Sequence, residues 1–331
     1  MDVAARAAEL DRLHRNVRVR RTRSLLASWA WRFFAPPRAV TVEDLPAVTP
    51  GEVAISFGGH ATALVRYADC GVVLDPMLGH WVGGVHRAVA PGLGPAELAA
   101  ASVALVSHAH ADHLHLPSLA RLPAGATVVG PPGLAARLGP HRFARVIELA
   151  DGAGVELDAI RVDATAVPHG ADDLGPTLAF TVTGDGPRVF ACGDGGYGEA
   201  FARVGEVAPP DVALLPIGGY WPRGFRARHL SPLDALYAFE DLRARVLVPI
   251  HHGAFALSYE RLDEPARWLA ALVAERGLDA HVRILAPGQS AVWRGARRVV
   301  RPSTATAAPS AAAVAAGPWQ VPPVTLGSPP A

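Results

Sequence analysis

The segment at positions 107–115, SHAHADHLH, holds four of the chain's 14 histidines together with one aspartate. Imidazole and carboxylate groups without cysteine are ligands that zinc accepts, as do manganese and iron. His108 and His110 lie two residues apart, so on an extended backbone their side chains point the same way. Asp112 and His113 are adjacent and are expected to diverge, which would let one loop serve two neighbouring ions. The segment therefore predicts a metal centre rather than a solvated histidine-rich loop.

Further donors follow apolar runs elsewhere in the chain. The histidine-rich segment itself comes directly after the run at 103–106, VALV. His169 follows ATAV, Asp194 follows VFAC, and His251 and His252 follow VLVPI. A strand end is a rigid point from which a side chain projects into a cleft, so we expect these donors to meet at one edge of the fold.

The rest of the pattern predicts the elements that position these donors. Short apolar runs between turn signals predict strands, and Ser231 and Asp263 precede helix-starting sequences. The predicted strands are 53–57, 63–67, 72–75, 103–106, 178–183, 188–192, 211–215 and 246–250, and the predicted helices are 197–204, 231–242 and 264–276. Two groups of strands with helices between and after them indicate an α/β fold in which helices cover the sheets.

Composition predicts three regions: an arginine-rich, partly helical N-terminal extension at 1–45, one folded domain at 46–300, and a disordered Ala/Pro-rich tail at 301–331. Residues 17–37 mix arginines with aromatic residues. This extension either packs its aromatic side chains on the domain or lies on an anionic membrane surface.

Global composition excludes several classes. The chain is 50% hydrophobic and 18% charged, and its net charge of +1 gives no reason to expect a nucleic-acid partner. It contains no lysine, which excludes Schiff-base chemistry, and no long apolar run that would span a membrane. Two distant cysteines fit a reducing compartment. We therefore expect a cytoplasmic protein, with peripheral contact at the inner membrane surface as an alternative.

The motifs together resemble the metallo-β-lactamase superfamily. H-x-H-x-D-H with downstream His, Asp and His is typical of that superfamily. Other stretches resemble its branch that contains N-acyl-phosphatidylethanolamine-hydrolysing phospholipase D and related bacterial hydrolases. These stretches are GGHATALVRYADCGVVLDPML (58–78), GDGGYG (193–198), LLPIGGYWPR (214–223), RHLSPLDAL (228–236) and PIHHGAFALSYERLDEP (249–265). The resemblance covers residues 50–290 and implies an αββα four-layer sandwich.

The same resemblance implies a set of ligands for each of two divalent ions. Zinc is expected, with manganese or iron as alternatives. One ion would take His108, His110 and His169, the second would take Asp112, His113 and His251, and Asp194 would bridge them. His115 and His252 are not expected to be ligands.

The resemblance implies catalysis by a hydroxide shared between ions about 3.5–4 Å apart. Asp112 would also relay a proton to the leaving group. His229 would donate a hydrogen bond to developing charge, or else lie on the surface at the start of a helix. His60 and Asp75 would orient the ligands, or else stabilise their own turns. The expected substrate is a phosphodiester of the phospholipase D type. Alternatives are a lactonase or other carbonyl hydrolase, and a scaffold that binds a metal or small ligand without turnover.

Overall fold

The secondary structure alternates between strands and helices, as the apolar runs predict. A computed structural model describes residues 36–140, 143–172 and 175–295. The strands are β1 Glu52–Gly59, β2 Thr62–Arg66, β3 Gly71–Leu74, β4 Trp81–Val82, β5 Val85–His86, β6 Val103–Leu105, β7 Thr127–Gly130, β8 Arg145–Glu148, β9 Gly154–Leu157, β10 Ile160–Asp172, β11 Gly175–Thr183, β12 Val189–Cys192, β13 Val212–Pro216, β14 Val246–Ile250 and β15 Ser290–Arg294. The α-helices are α1 Pro95–Leu98, α2 Leu116–Leu119, α3 Leu134–Leu138, α4 Ala200–Val207, α5 Pro232–Asp241 and α6 Glu264–Arg276.

Two large sheets carry the fold. The first has the strand order β15-β1-β2-β3-β6-β7-β8, and the second has the order β14-β13-β12-β11-β10-β9. Strands β3, β6, β7 and β8 are parallel neighbours, as are β12, β13 and β14. Because parallel strands end at the same edge of a sheet, the loops that follow β3 and β6, and those that follow β12 and β14, are brought together within each sheet.

The strands are apolar on both faces because each sheet packs against the other sheet on one face and against helices on the opposite face. In β6, Val103 and Leu105 belong to the core between the two sheets, whereas Ala104 packs with helices α1 to α3. In β13, Leu214 faces the core between the sheets and Leu215 packs with helices α4 to α6. The order helix, sheet, sheet, helix confirms the predicted αββα sandwich.

Helices α5 and α6 begin where predicted, and of the two preceding residues Ser231 caps its helix whereas Asp263 makes no side-chain cap. The Ser231 hydroxyl accepts a hydrogen bond from the Asp234 amide at 3.2 Å, and the Asp234 carboxylate accepts one from the Ser231 amide at 2.9 Å. This reciprocal cap fixes the start of α5. Helix α4 begins three residues later than predicted. The Gly196 amide donates to the Pro168 carbonyl, and a side chain at Gly196 would collide with the Ala227 carbonyl, so this stretch forms a turn.

Some strands are absent from the predicted set: the hairpin β4–β5, β7, β8, β9, β10 and β15. Of β10, only the apolar run ATAV before His169 was recognised. The described residues leave out 1–35 and 296–331. Most of the predicted extension and all of the predicted tail therefore lie outside them. Residue 38 pairs with Val89, and the Glu43 amide donates to the Gly288 carbonyl at 2.9 Å. The last part of the predicted extension is thus bonded to the domain. Over the described ranges, no helix combines the length and the apolar character needed to cross a bilayer.

Candidate metal centre

Most of the predicted ligands, and Asp75, which was predicted to orient them, lie after strand ends. Asp75 follows β3 and His108 follows β6 in the first sheet, and Asp194 follows β12 and His251 follows β14 in the second. His169 differs from the prediction, because it lies within the bounds of β10 rather than after a strand. The register between β10 and β11 shifts just beyond Val167, and this irregularity lets the His169 ring turn toward the others.

His108, His110 and His169 form one group. Nε2 of His108 lies 2.7 Å from Nδ1 of His110, and Nε2 of His169 lies 3.1 Å from the same atom. The three nitrogens are close enough to ligate one ion. His108 and His169 are buried, and His110 is more exposed. Three converging imidazoles match the predicted first ligand set.

A second group lies beside it. Oδ2 of Asp112 lies 3.4 Å from Nε2 of His113 and 3.8 Å from Nε2 of His251. The expectation that Asp112 and His113 diverge is wrong. Residues 111–113 form a turn rather than an extended strand, so the two adjacent side chains reach a common point. The group still matches the predicted second ligand set, and two of its three members, Asp112 and His113, lie in one turn of backbone.

Asp194 lies between the two groups. Its Oδ2 atom is 3.4 Å from Nε2 of His251, 3.7 Å from Nε2 of His169 and 4.0 Å from Nε2 of His113. The carboxylate is nearly fully buried, at 2% exposure. One oxygen thus faces a histidine of the first group and two of the second, which is the position that a bridging ligand needs.

Hydrogen bonds on the far side of three rings select the nitrogen that faces the centre. Nδ1 of His113 donates to Oδ2 of Asp75 at 2.7 Å, and Nδ1 of His169 donates to the Arg228 carbonyl at 2.8 Å. The Ser107 hydroxyl donates to Asp75 at 2.7 Å and accepts from Nδ1 of His108 at 2.9 Å. Each ring therefore donates through Nδ1 and turns Nε2 toward the centre.

Buried nitrogens without partners test whether the site fits a metal. Within the described part of the chain, Nε2 of His113 and Nε2 of His251 are buried and accept or donate no hydrogen bond. A buried polar atom without a partner costs about 1–3 kcal/mol, so it usually has a function. Both atoms point at the carboxylates of Asp112 and Asp194, and nitrogen and oxygen donors of this kind fit a borderline divalent ion such as zinc.

His60 and His229 contact the two carboxylates from outside. Nε2 of His60 lies 2.9 Å from Oδ2 of Asp112, and Nδ1 of His229 lies 2.8 Å from Oδ1 of Asp194. Gly219 packs against the His229 ring, where a side chain would come within 2.9 Å of Nδ1. The buried carboxylate of Glu260 accepts the Gly219 amide at 2.6 Å and so fixes this loop.

The backbone at the site is unusual. His60, Asp75 and His251 all have positive φ, at 58°, 39° and 57°. This conformation costs non-glycine residues of order 1–3 kcal/mol, and it concentrates at functional sites. Gly193, which precedes Asp194, has no room for a side chain, because a Cβ there would lie 2.0 Å from Oδ2 of Asp75. The two sheets therefore meet tightly behind the ligands.

Opposite charges at the centre stabilise each other. Burial alone would raise the pKa of Asp194, but His229, His251 and His169 outweigh it and hold the pKa well below its usual value. Burial likewise opposes charge on His113, yet Asp112 and Asp75 raise its pKa well above the ordinary value. Burial and His251 lower the pKa of His60 to about 3, so this ring is neutral at pH 7.

Other candidate residues lie away from the centre or behind it. Nδ1 of His115 lies 2.7 Å from the Ser118 hydroxyl at the start of α2, so this histidine caps a helix. His252 stacks on Phe57 with ring centroids 5.6 Å apart. Ser107 and the Arg228 carbonyl were missed from the sequence. Ser107 directly precedes His108, and that adjacency was the only available signal.

Comparison with known proteins agrees with this geometry. Residues 71–252, more than half of the chain, match the sequence family described as Beta-lactamase superfamily domain. A UPF0173 metal-dependent hydrolase of Opitutus terrae is 31% identical over 247 residues, which cover 71% of this chain and 98% of that protein. Igni18, a metallo hydrolase from the archaeon Ignicoccus hospitalis, is 23% identical, with a TM-score of 0.59 and coverage of 74% of this chain and 99% of that one. An isothiocyanate hydrolase from Delia radicum gut bacteria is 17% identical, with a TM-score of 0.61 and coverage of 73% and 100%. These two structures share the fold.

Proposed function

The chain belongs to the β-lactamase superfamily, and on that premise we propose that it is a metal-dependent hydrolase with a dinuclear centre. His108, His110 and His169 would hold one ion, and Asp112, His113 and His251 the other. Asp194 would bridge them. The observation that carries this proposal is that Nε2 of His113 and Nε2 of His251, buried and without a hydrogen-bond partner in the described residues, face two carboxylate oxygens.

Zinc is the proposed ion, since imidazole and carboxylate donors without cysteine suit it, and manganese or iron are alternatives. When bound, two such ions lower the pKa of a coordinated water toward neutrality and stabilise negative charge on the substrate. The protein supplies no serine or cysteine nucleophile in this proposal. Its own residues orient the donors and move the proton.

Asp112 is suited to handle the proton of the leaving group. Its side chain is 14% exposed, whereas that of Asp194 is 2% exposed, so Asp112 is the carboxylate nearer to solvent. The neutral His60 ring donates a hydrogen bond to Oδ2 of Asp112 and leaves Oδ1 to exchange a proton with the leaving group. Asp112, ionised at rest, would take a proton from the attacking water at Oδ1 and pass it to the leaving group.

His229 is suited to contact the substrate. Its side chain is 19% exposed, and its Nδ1 proton is donated to Asp194. Asp194 raises the pKa of His229 despite the opposing effect of burial, which favours the doubly protonated ring. A proton on Nε2 then donates a hydrogen bond to a substrate oxygen on which negative charge develops.

We propose a phosphodiester of the phospholipase D type as the substrate. The support is the resemblance of the five stretches between residues 58 and 265 to that branch of the superfamily. A lactone or another carbonyl compound is the alternative substrate, because the same donors would activate water against carbon. A scaffold that binds metal without turnover is the alternative from another class.

Metal analysis and substrate profiling test the proposal together. Purified protein loaded with zinc should bind about two ions per chain. It would then be assayed with bis(p-nitrophenyl) phosphate, an N-acyl phosphatidylethanolamine and an acyl-homoserine lactone, and we expect turnover of the first two. Turnover of the lactone alone would overturn the phosphodiester assignment, and metal binding without any turnover would favour the scaffold.

A matched pair of histidine variants controls for general damage. His251→Gln should lose metal and activity together. His281 lies at the far end of the fold, where Nδ1 contacts the Arg245 carbonyl at 3.0 Å before β14 begins. His281→Gln should keep both metal and activity. Equal losses in the two variants would contradict the assignment of His251.

A further inference from the structure

An arginine near the candidate metal centre is fully buried. Arg87 directly follows strand β5, and its exposure is 0%. Nε donates to the Gly79 carbonyl at 2.9 Å, Nη1 donates to the Val89 carbonyl at 3.4 Å, and Nη2 donates to the Met77 carbonyl. Burial lowers the pKa of Arg87 to about 10, so the guanidinium keeps its charge at pH 7. Within the described part of the chain, this cation bonds to neutral backbone oxygens and forms no ion pair.

A buried cation of this kind needs a physical reason. Arginine is almost never fully buried unless it is paired with an opposite charge. Its guanidinium is planar and rigid and presents several N–H donors in a fixed arrangement, so it can hold several backbone segments at set distances and angles. The role of Arg87 therefore follows from the segments that it holds.

Three residues at the centre have a strained backbone with positive φ: His60, Asp75 and His251. Arg87 contacts the chain beside the first two. A Cβ at Gly59, the residue before His60, would lie 3.5 Å from Nη1 of Arg87. The carbonyls that bind Nη2 and Nε belong to the second and the fourth residue after Asp75. One guanidinium thus lies against two strained turns.

The third strained residue is tied to the same group. The His251 amide donates to the His60 carbonyl at 2.7 Å. Phe255, in the loop that follows His251, packs against the guanidinium, with Cζ of Arg87 4.5 Å from the centre of its ring. A cation over an aromatic face is favourable where water is excluded. Strained backbone persists only where the surrounding structure restrains it, and Arg87 restrains all three turns.

The same contacts reach the His60 ring. Phe255 meets this ring edge to face, with centroids 5.4 Å apart and 84° between the planes. On its other side, Nε2 of His60 lies 2.9 Å from Oδ2 of Asp112. The Phe255 ring therefore lies between Arg87 and His60, and its position sets the angle at which His60 approaches the Asp112 carboxylate.

We propose that Arg87 is a positioning residue that holds the three strained turns in place and, through the Phe255 ring, orients His60 toward Asp112. In this role Arg87 contacts neither an ion nor the substrate and acts only through other residues. The effect on Asp112 rests on the proposed function, whereas the restraint on the turns does not.

Backbone amide exchange in the metal-free chain tests the restraint on the turns. Arg87→Met keeps the length of the side chain but removes its donors and its charge. We expect the His251 amide, which closes two turns through its bond to His60, to exchange at least about tenfold faster than in the parent chain. Arg66→Met is the matched control, because Arg66 also donates to a backbone carbonyl, that of Pro46, but lies at the end of β2 remote from His60. Unchanged exchange in Arg87→Met, or an equal rise in the control, would overturn the proposal.

Cobalt substitution tests the effect on the centre, because the visible spectrum of bound Co²⁺ depends on its coordination geometry. Phe255→Leu removes the ring between Arg87 and His60 but keeps the bonds of Arg87 to the carbonyls, so it decides the test even where Arg87→Met does not fold. In both variants we expect an altered cobalt spectrum and a kcat for bis(p-nitrophenyl) phosphate about 10–100-fold lower, with KM unchanged. Arg87→Lys should recover part of kcat, and Arg66→Met should match the parent chain. The parent spectrum and kcat in Phe255→Leu would contradict the orientation of His60 by this route.

The two readouts separate this inference from the proposed function. A parent chain that binds no cobalt would contradict the metal centre, while amide exchange in the metal-free chain would still decide whether Arg87 restrains the turns. A parent chain that binds cobalt, together with variants that keep its spectrum, kcat and exchange, would contradict the role of Arg87 alone. A lower Tm in Arg87→Met without those changes would make Arg87 a residue of the core only, and it would equally overturn the proposal.

Discussion

Nδ1 of His229 lies 2.8 Å from Oδ1 of Asp194, so a residue just before helix α5 fixes the carboxylate that faces both histidine groups. The same Oδ1 atom accepts the Gly195 amide at 2.8 Å. Asp194 therefore has one oxygen held by the protein and one oxygen left for the centre. The two oxygens of Asp194 therefore have different roles, and substitutions at His229 and at Asp194 should have different effects.

His229→Ala should lower the catalytic rate by about 10–100-fold, the usual effect of losing a partner that orients a ligand or substrate. The zinc content should stay unchanged, because Gly195 still holds Asp194 in place. Rate measurements with bis(p-nitrophenyl) phosphate and metal analysis of the same sample check this. Full activity in His229→Ala would remove both proposed roles of this histidine.

Asp194→Ala should leave less than one-hundredth of the activity and reduce the bound metal, because both ions would lose a shared ligand. Asp194→Asn keeps the shape and the hydrogen bond to His229 but loses the charge, so it separates charge from packing. Metal content by atomic emission and the rate are measured for both variants. Retention of two ions by Asp194→Ala would exclude a bridging role.

Asp75→Asn should weaken zinc affinity by about 10–100-fold without removing a ligand, because Asp75 holds the Nδ1 proton of His113 and the Ser107 hydroxyl. A competition titration with a chromogenic chelator measures the affinity. Asp69→Asn is the matched control, since Asp69 is exposed and lies six residues before Asp75. Identical affinities for the two variants would argue that Asp75 only stabilises its turn.

Removal of metal should destabilise the fold. A ligand that binds only the folded state at a concentration 100 times its dissociation constant stabilises that state by about 2.7 kcal/mol. For a domain of this size, that corresponds to a fall in Tm of about 5–10 °C on chelation. Differential scanning fluorimetry with and without chelator checks this, and added zinc should restore the Tm. The variant His281→Gln should respond like the parent chain, and a Tm indifferent to chelator would count against a metal in the folded protein.

Protonation of Glu52 should lower the free energy of unfolding at acidic pH. The Thr49 amide and the Arg294 guanidinium lower the pKa of this carboxyl to about 2, from an ordinary value of 4.5. Because the folded-state pKa is depressed, the stabilisation is fully present above about pH 4.5 and is lost as the pH falls toward 2. The difference in unfolding free energy between the parent chain and Glu52→Gln should therefore shrink across that window in urea titrations. Arg294→Leu should weaken the same pH dependence, and a constant difference would contradict the assignment.

The sequence predicted the ligand-bearing strand ends because their signal is local. A histidine-rich segment after VALV, or an aspartate between glycines after VFAC, is visible within ten residues. Strands β8 and β9 lack a strong pattern, since they lie at sheet edges and are only partly buried. Their existence depends on pairing with neighbours rather than on their own residues.

Contacts between distant residues were beyond sequence reasoning. His60 and Asp112 are 52 positions apart, and His169 and the Arg228 carbonyl are 59 apart. The turn that joins Asp112 and His113 was also missed, because alternation on an extended backbone was assumed where the chain coils. Side-chain direction in a loop follows from its backbone angles, which spacing alone does not determine.

The close approach of Gly193 to Asp75 joins a strand end of one sheet to a strand end of the other. His108, His110, Asp112 and His113 come from the first sheet, and His169, Asp194 and His251 from the second. Neither sheet supplies a complete set of ligands for either proposed ion, so metal binding would depend on how the two sheets pack against each other. A mutation in the core between the sheets, far from any donor, would thus lower the affinity for metal at temperatures where the protein is still folded.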